Sequence, residues 1–554
     1  MNYKWNILKK SESIKDVLNG ILEYKNISKD DVKDFIDCNT KLHDPFLLTN
    51  MDKAVQRLNI AKEKNERIMI IGDYDCDGVT SIVVLYIGLR YMGFNVVWEV
   101  PDRFKDGYGL NNRLIDEAKL NECTLILTAD NGIAAHEPVK YANSLGIEVI
   151  VTDHHELLSK ELPTEIVVDP KIDDNYPFKG ICGCMVAFKL LNALDPELYK
   201  NEYVYEELCS FTTIGTIADV MDLLDENRGF VKEGLKYISR TKNRGLITLL
   251  KAMNLYEKEI TTTNIAFSIG PAINVAGRLD SPKLAINLFL CDDDVIANKL
   301  AKKLIDLNKE RKMLQEEIVK GLEIKDHDGF IIVNIENVSH GIIGIIAGKI
   351  SEKYQRPCFV LSGKNGKLSG SGRSIMDYDI SDIIVKNPDV VGGGGHAGAC
   401  GVKLEEHNLE LLKDICNKHF KQWLESKENI DLTPTIDIIS EVPFSIVDKR
   451  LINNINKLQP FGQGNLEPLF VTKNVFVSNY KIVGENKNTI QFTFDDDTNI
   501  LKGIAFNNGV EIYKELNYPK YVDIAYSIGL NEWPAGQFNV QLIIKDIKIS
   551  EKNI

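Results

Sequence analysis

The sequence lacks the features that mark secreted, membrane-spanning and zinc-binding proteins. Its ten cysteines are scattered, with Cys182 and Cys184 as the only close pair and no C-x-x-C motif, so neither a disulfide framework nor a zinc site is indicated. No apolar run reaches the roughly 18 residues that a membrane-spanning helix needs, and the first residues, Met-Asn-Tyr-Lys-Trp-Asn, contain no apolar signal core. We therefore expect a cytoplasmic protein without a membrane partner.

The chain also lacks an excess of positive charge. The chain has 66 Lys and Arg against 80 Asp and Glu, a net charge of −14 at pH 7, which argues against a uniformly basic surface that coats nucleic acid. A local basic channel remains compatible with this balance. With 554 residues, of which 44% are hydrophobic, the chain is long enough for about three or four domains, each with its own core.

One stretch near residue 70 combines an apolar run with three acids. Residues 67–72 read as a buried strand, and Asp73, Asp75 and Asp77 follow directly. Three carboxylates so close together repel one another, which favours a bound divalent cation, although Asp also commonly caps a helix. An EF-hand is excluded because Val84 stands where that loop needs Glu and the upstream element is a strand.

Further polar residues follow other predicted strands. Between about 51 and 170 strands and helices alternate, which predicts a parallel sheet with ligand sites beyond the carboxyl ends of its strands. Asp130 follows one strand, and the run Asp153-His154-His155 follows another. Asp219 lies in an otherwise apolar segment, where it is either a metal ligand or a capped or paired acid. These ends are predicted to meet in one polar pocket.

The side chains of this predicted pocket are rich in oxygen. Asp75, Asp77, Asp130, Asp219 and one histidine suit manganese or magnesium better than structural zinc. Two such ions would clamp the attacking and leaving oxygens of a phosphoryl displacement, which indicates a phosphoesterase. The second histidine could stabilise the transition state or protonate the leaving oxygen.

Two glycine-rich stretches are suited to phosphate binding. Residues 369–374 (Ser-Gly-Ser-Gly-Arg-Ser) and 392–396 (Gly-Gly-Gly-Gly-His) are predicted to be loops that offer backbone N–H groups, hydroxyls and Arg373. Flexible turns without a ligand are the alternative. Residues 292–320 predict a long helix that connects two lobes, and the β-rich runs after residue 435 predict a small barrel or sandwich.

Ten motifs occur in order along the chain and together resemble the DHH phosphoesterase family, closely its single-stranded-DNA-specific exonucleases. They are GDYDCDG (72–78), PDRFKDGYGL (101–110), TADNGI (128–133), TDHHE (152–156), GTIADV (215–220), NVAGRL (274–279), SHGIIGIIA (339–347), SGRS (371–374), GGHAGACG (394–401) and LQPFGQGN (458–465).

The resemblance implies an α/β protein with a parallel-sheet DHH domain, a long helix, a smaller α/β DHHA1 domain and an all-β OB-fold. The expected ranges are 1–50 (N-terminal helical segment), 51–291 (DHH), 292–320 (connecting helix), 321–426 (DHHA1) and 435–554 (OB-fold). It implies that the metal ligands are Asp75, Asp77, Asp130, His154 and Asp219, with His155 and Asp73 as catalytic residues. The implied substrate-binding residues are Arg103, Arg278, Ser371, Gly372, Arg373 and His396.

The resemblance also implies an activity. It is 5′ to 3′ digestion of single-stranded DNA to mononucleotides with manganese or magnesium, with two ions expected. The enzyme is expected to be a monomer that works beside a single-strand-binding protein and a helicase in recombination and repair. Two alternatives remain open at this point: a phosphodiesterase for short oligonucleotides or cyclic dinucleotides, and a DNA-binding scaffold without catalysis.

Overall fold

The computed structural model describes residues 3–38, 42–157, 161–322, 324, 328–336, 338–427, 430–484, 487–507, 509–531 and 539–553. The chain divides into two compact units. The smaller unit comprises residues 1–39, 429–461 and 465–554, and the larger unit comprises residues 40–428 with 462–464. Among the helices of the described ranges, none combines the length and the hydropathy that a membrane crossing requires.

The N-terminal segment contains a strand that the sequence did not predict. Its elements are β1 (Lys4–Ile7), α1 (Ile14–Tyr24) and α2 (Val32–Asp37). β1 pairs in parallel with residues 435–438, so the expectation of a purely helical segment over residues 1–50 is wrong at this strand. A strand of four residues depends on its partner, and this partner begins only at Thr435, far along the sequence.

A five-stranded parallel sheet carries the acidic motifs. Its elements, in chain order, are α3 (Met51–Glu63), β2 (Arg67–Gly72), α4 (Cys76–Tyr91), β3 (Asn95–Glu99), α5 (Asn112–Leu120), β4 (Leu125–Ala129), α6 (His136–Ser144), β5 (Glu148–Thr152) and β6 (Val167–Val168). The strand order is β3-β2-β4-β5-β6, and all neighbours are parallel. The prediction of a parallel sheet is confirmed. β2 and β4 are almost wholly buried, as central parallel strands are.

Helices complete the first lobe of the larger unit. They are α7 (Gly183–Leu194), α8 (Glu202–Ala218), α9 (Asp225–Ser239), α10 (Arg244–Ala252), α11 (Thr262–Asn264), a π-helical turn (Ile265–Ile269), α12 (Gly270–Asn274), α13 (Ala276–Leu279) and α14 (Lys283–Phe289). The connecting helix α15 (Asp294–Gly321) follows, and Asp293 caps it by accepting the N–H groups of Val295 and Ile296. The predicted long helix is present.

The second lobe is built on a mixed sheet. Its elements are β7 (Ile331–Asn334), α16 (His340–Tyr354), β8 (Cys358–Lys364), β9 (Lys367–Arg373), α17 (Ser381–Lys386), β10 (Gly392–His396), β11 (Ala399–Glu405) and α18 (Leu409–Glu425). The sheet order is β10-β11-β9-β8-β7. The two stretches predicted to be glycine-rich loops are therefore strands. Glycine disfavours a strand locally, but ladder hydrogen bonds to the neighbouring strands override that preference here.

The C-terminal residues form a closed β-barrel in the smaller unit. Its elements are β12 (Thr435–Ile438), β13 (Ser440–Glu441), α19 (Lys449–Asn456), β14 (Phe470–Val483), β15 (Thr489–Asp495), β16 (Ile500–Ala505), α20 (Gly509–Glu515), β17 (Tyr521–Asn531) and β18 (Asn539–Ile549). The strand order is β13-β14-β15-β16-β18-β17, and pairing of β14 with β17 closes the barrel. The predicted all-β C-terminal domain is confirmed.

Candidate functional site

The turn between β2 and α4 places three acids at the carboxyl end of the sheet. Asp73 is buried, and Asp75 is the N-cap of α4, where its carboxylate accepts the N–H of Gly78 at 3.1 Å. A Cβ at Gly78 would lie 2.4 Å from the carbonyl oxygen of Asp73, so this turn requires glycine. Capping, the alternative to ligation in the sequence, therefore does apply to Asp75. This cap uses only one of the two carboxylate oxygens.

The N-terminus of α7 holds the third acid. The buried carboxylate of Asp77 accepts the backbone N–H of Gly183 at 2.7 Å and that of Cys184 at 3.0 Å. Gly183 also lies against Asp130, since a Cβ on it would be 2.5 Å from Cβ of Asp130. In the sequence this segment stood out only as a close cysteine pair, and no local pattern indicates that it supports the acids.

Four predicted ligands come together around one imidazole. Nε2 of His154 lies 3.1 Å from Oδ1 of Asp130, 3.5 Å from Oδ2 of Asp219 and 3.8 Å from Oδ2 of Asp77. The candidate ligand atoms of Asp77, His154 and Asp219 all lie within 4.8 Å of one another. Those of Asp130, His154 and His155 meet the same distance. Metal ligation by these residues stays a prediction, but the geometry required for it is present.

Burial and repulsion between neighbouring groups disfavour the charged forms of the side chains in this cluster. Burial, followed by the charge of neighbouring acids, raises the pKa of Asp77 to about 6 and that of Asp219 to about 8, and it raises the pKa of Asp130 well above its ordinary value. Burial and the charge of His155 lower the pKa of His154 to about 3. A neutral imidazole among crowded carboxylates is a donor set that a divalent cation would stabilise.

Two buried carboxylate oxygens indicate whether a divalent cation fits the cluster. Oδ1 of Asp73 and Oδ1 of Asp130 are buried and accept no hydrogen bond within the described ranges. Buried carboxylate oxygens without donors are costly unless a cation satisfies them. Together with the oxygen-rich donor set, these two atoms fit manganese or magnesium.

The second histidine of the motif is held differently from the first. Nδ1 of His155 lies 2.6 Å from Oδ1 of Asp153, while Oδ2 of Asp153 accepts the N–H of Ile133 at 2.9 Å. The hydroxyl of Tyr108 lies 3.2 Å from Nδ1 and 3.3 Å from Nε2 of the same ring. Although burial opposes a charge on His155, Asp153 raises its pKa to about 9. A protonated imidazole can therefore face the cluster near neutral pH.

The structure adds acids and a phenol that sequence reasoning did not assign. Asp153 orients His155, and Tyr108 contacts the same ring. Asp169 follows β6 and is buried, with its pKa raised to about 7 by burial and by the charge of Asp153. The rule that ligands collect at the carboxyl ends of parallel strands would have identified Asp169, because β6 is a fourth such end.

Two predicted substrate-binding arginines lie close to the acidic turn. The guanidinium of Arg103 stacks over the ring of Tyr74, 4.9 Å from its centre. Arg278, on α13, donates from Nη1 to the carbonyl oxygen of Gly341 at 3.0 Å, which links the first lobe to α16 of the second. Burial, then the charges of Arg103 and Arg311, lowers the pKa of Arg278 to about 10. These guanidiniums repel one another, and a bound anion would reduce that repulsion.

The remaining predicted residues lie on the sheet of the second lobe. Nη1 of Arg373 donates to Oγ of Ser371 at 3.0 Å and to the carbonyl oxygen of Gly372 at 2.8 Å. A Cβ at Gly344 of α16 would lie 3.2 Å from Nη2 of Arg373, so glycine admits this side chain. His396 is exposed two strands away, since Ala399 pairs with both His396 and Arg373. No contact within the described ranges joins its ring to Ser371 or Arg373.

Family models match three parts of the chain. The DHH family, N-terminal domain, matches residues 67–216, the DHHA1 domain matches 327–426, and the RecJ OB domain matches 438–546. The carboxylate–histidine cluster lies within or next to the first match, and Ser371, Arg373 and His396 lie within the second.

Two relatives that match about nine tenths of this chain carry the same name. The chain is 33% identical over 533 residues to the single-stranded-DNA-specific exonuclease RecJ of Salmonella typhimurium, with 90% of each chain covered. It is 34% identical over 519 residues to the protein of that name from Bacillus subtilis. This match covers 92% of this chain, and the chain spans 64% of that relative's length.

Solved structures of the same name share the fold. The crystal structure of RecJ from Thermus thermophilus in complex with Mn²⁺ matches with a TM-score of 0.83 and 26% identity, covering 99% of this chain and 80% of the other. A crystal structure of exonuclease RecJ bound to manganese matches with a TM-score of 0.61 and 32% identity, covering 70% of this chain and 98% of that one.

Proposed function

The chain belongs to the RecJ family of single-stranded-DNA-specific exonucleases, and we propose that its carboxylate–histidine cluster hydrolyses the terminal phosphodiester of a single DNA strand from the 5′ end. The observation that carries this proposal is the convergence of Asp77, Asp130, His154 and Asp219 on one point at the carboxyl edge of the sheet. The enzyme is a metal-dependent DHH hydrolase, and its substrate is single-stranded DNA.

The cofactor is Mn²⁺ or Mg²⁺, and we propose two ions held by Asp75, Asp77, Asp130, His154 and Asp219. Bound divalent cations stabilise charge on phosphoryl oxygens and make hydroxide available near neutral pH. Asp77 is held in place by two N–H groups of α7, so its carboxylate presents a fixed face to the cluster. Asp73, buried with one oxygen that accepts no described hydrogen bond, is proposed to be a further ligand or a proton acceptor.

His155 is the proposed catalytic histidine. Asp153 fixes the ring through Nδ1 and keeps it protonated at neutral pH, so Nε2 can neutralise charge on the phosphate or give a proton to the leaving oxygen. Tyr108, which contacts this ring and the carbonyl oxygen of Asp130 at 3.2 Å, is proposed to restrict its rotation.

The substrate-binding residues are proposed to divide between the two lobes. Arg103 and Arg278 lie beside the turn between β2 and α4, and Ser371, Gly372 and Arg373 would hold the 5′ phosphate from the second lobe. His396 is exposed on the edge strand β10. It is proposed to contact the DNA rather than to take part in catalysis. The OB-fold would bind the incoming bases and phosphates.

The cellular role follows from this activity. The enzyme acts in DNA recombination and repair, where single strands are resected. We propose that a single-strand-binding protein and a helicase supply its substrate, that it works in the cytoplasm, and that it is a monomer. The proposed domain ranges are 51–291, 321–426 and 435–554, joined by the helix 292–320, with residues 1–50 as an N-terminal segment that contributes β1 to the smaller unit.

The decisive experiment is digestion of a long strand that is 5′-phosphorylated and 3′-labelled, with Mn²⁺, beside the same strand annealed to its complement. We expect mononucleotides from the 5′ end of the single strand and intact duplex. Asp130→Asn, which removes one carboxylate from the cluster, should abolish digestion, whereas Asp52→Asn on the exposed face of α3 should not.

Other outcomes would contradict the proposal in distinguishable ways. Hydrolysis of dinucleotides without digestion of the long strand would identify an enzyme for short oligonucleotides or cyclic dinucleotides. Strand binding without any hydrolysis would identify a scaffold. Digestion that survives Asp130→Asn would place the hydrolytic site elsewhere.

A further inference from the structure

One arginine on the connecting helix has no assigned role. Arg311 lies on α15 and is partly buried. Its Nε donates to Oδ1 of Asn308 at 3.1 Å and its Nη1 donates to Oε1 of Gln315 at 3.3 Å. Because these residues are three and four positions away, both amides lie on the same face of the helix as Arg311. Asn308 and Gln315 are themselves buried, so they hold the guanidinium in one orientation.

The positive charge of Arg311 is oriented but not neutralised. Both partners are neutral amides, and within the described ranges no carboxylate forms an ion pair with this guanidinium and nothing hydrogen-bonds to its Nη2. Burial alone lowers the pKa of Arg311. A guanidinium that is fixed, partly desolvated and without a counter-ion is unfavourable in the free protein and becomes favourable when an anion arrives.

Arg311 lies close enough to Arg278 for its charge to act on that residue. The pKa of Arg278 is lowered by the charges of Arg103 and Arg311 and raised by that of Asp75, in the turn between β2 and α4. α15 also packs against α13, which carries Arg278, and against α16 of the second lobe.

We propose that Arg311 is a phosphate-binding residue. It holds the backbone phosphate of the single DNA strand that is adjacent to the phosphate bound at Arg278. The inference rests on the proposed function and adds a subsite to it on the connecting helix. Asn308 and Gln315 are positioning residues, since they would act only through the orientation of the guanidinium. The planar guanidinium offers the paired donors that phosphate oxygens accept.

The test measures strand binding as a function of salt. Each variant is made in the Asp77→Asn background, and binding of a short fluorescent oligothymidylate is titrated at a series of NaCl concentrations with Mg²⁺. For Arg311→Gln we expect an affinity about tenfold lower at low salt, as for a lost hydrogen bond to a charged group. We also expect the slope of log Kd against log[NaCl] to decrease by about 0.7, the value for one phosphate contact to a single strand.

Matched variants separate this role from a structural one. Lys309→Gln removes a positive charge from the same helix at an exposed position about 200° around the helix axis, and it should leave the slope unchanged. Asn308→Ala keeps the charge but frees the guanidinium, so it should lower the affinity with little change in slope. An Arg311→Gln variant whose melting temperature falls while its salt slope equals that of the parent would overturn the proposal.

Failure of this inference differs from failure of the proposed function. If the parent enzyme digests single strands and Arg311→Gln has the parental slope, the subsite is wrong and the exonuclease stands. If the parent digests no strand but Arg311→Gln still decreases the slope, the phosphate subsite stands and the exonuclease is wrong.

Discussion

At the scale of single residues, the environment of the cluster makes an acid retain its proton to a higher pH than usual. Asp219 is the member with the most accessible carboxylate, and burial together with Asp77 and Asp75 raises its pKa to about 8. The unfolded chain binds a proton on this side chain only below about pH 4. Between these values the folded, metal-free protein holds a proton that the unfolded chain has lost, so its free energy of unfolding falls as pH rises from about 4 to about 8.

The first prediction concerns Asp219→Asn. The metal-free variant should lose less stability than the parent between pH 5 and pH 8, because the repulsion at Asp219 is gone. Addition of Mn²⁺ should raise the melting temperature of the parent but not of the variant, and cleavage should fall by at least about 100-fold. Thermal melts across pH, with and without Mn²⁺, measure the first two effects. Asp52→Asn is the control, and a variant that keeps the parental pH slope would contradict the assignment.

Asp153 is the subject of the second prediction. Asp153→Asn keeps only one of the two oxygens that accept backbone N–H groups and loses the charge that fixes His155. We expect kcat to fall about 10- to 100-fold, the usual effect of removing a group that orients a catalytic or ligating side chain, while the affinity for Mn²⁺ changes little. Asp116→Asn, which weakens an exposed hydrogen bond from Tyr141, should change neither. A loss of metal affinity equal to the loss of kcat would show that Asp153 supports the metal instead.

At the scale of elements, the sheet and one helix N-terminus assemble the site. β2, β4, β5 and β6 end at the same edge and deliver Asp73, Asp130, Asp153 and Asp169. The N-terminus of α7 then supplies two N–H groups to Asp77, where a helix end stabilises negative charge. The site therefore depends on how closely α7 approaches β4.

The third prediction tests that approach. Gly183→Ala would place a Cβ 2.5 Å from Cβ of Asp130 and 2.8 Å from its Cα, which forces α7 and the β4 turn apart. We expect the free energy of unfolding to fall by about 1–3 kcal/mol and the Mn²⁺ affinity to fall with it. Gly348→Ala on α16 has no atom within 4 Å of the new Cβ and should be stabilised by up to about 1 kcal/mol. Denaturant unfolding and Mn²⁺ titration measure both, and an unchanged Gly183→Ala would refute the close approach.

At the scale of the whole molecule, the two ends of the chain fold together. β1 pairs with β12, and Nε1 of Trp5 donates to the buried Asp546 of β18 at 2.8 Å. Lys548 lies over the ring of Trp5, 4.4 Å from its centre. The N-terminal strand is thus part of the smaller unit, although the DHH sheet is nearer to it in sequence.

The fourth prediction follows from this pairing. Trp5→Ala removes the indole N–H from the buried carboxylate of Asp546 and leaves it only backbone N–H donors, such as that of Tyr3, within the described ranges. This loss should destabilise the smaller unit by about 1–3 kcal/mol. In hydrogen exchange, peptides covering 435–438 and 540–549 should exchange faster, and peptides covering β2 should not change. Lys4→Ala, at an exposed position of the same strand, is the control. Faster exchange in β2 would mean that the two units unfold together.

Some features could be predicted from sequence because they depend on neighbours in the chain. β2 has the predicted ends, Arg67–Gly72, since a buried parallel strand is a continuous apolar run between turn signals. The acids at these ends, and the histidines after β5, were likewise visible as polar residues in the positions where such sheets bind ligands.

Other features depend on contacts between residues far apart in sequence. The ladders that turn residues 367–373 and 392–396 into strands, the N–H groups of Gly183 and Cys184 on Asp77, and the pairing of β1 with β12 leave no local periodicity. The sequence by itself determined the parallel sheet and the acids and histidines at its strand ends, because short-range patterning encodes burial and turns. Only the tertiary structure decided which groups hold and orient those side chains, because hydrogen bonds between distant segments form only when the chain has packed.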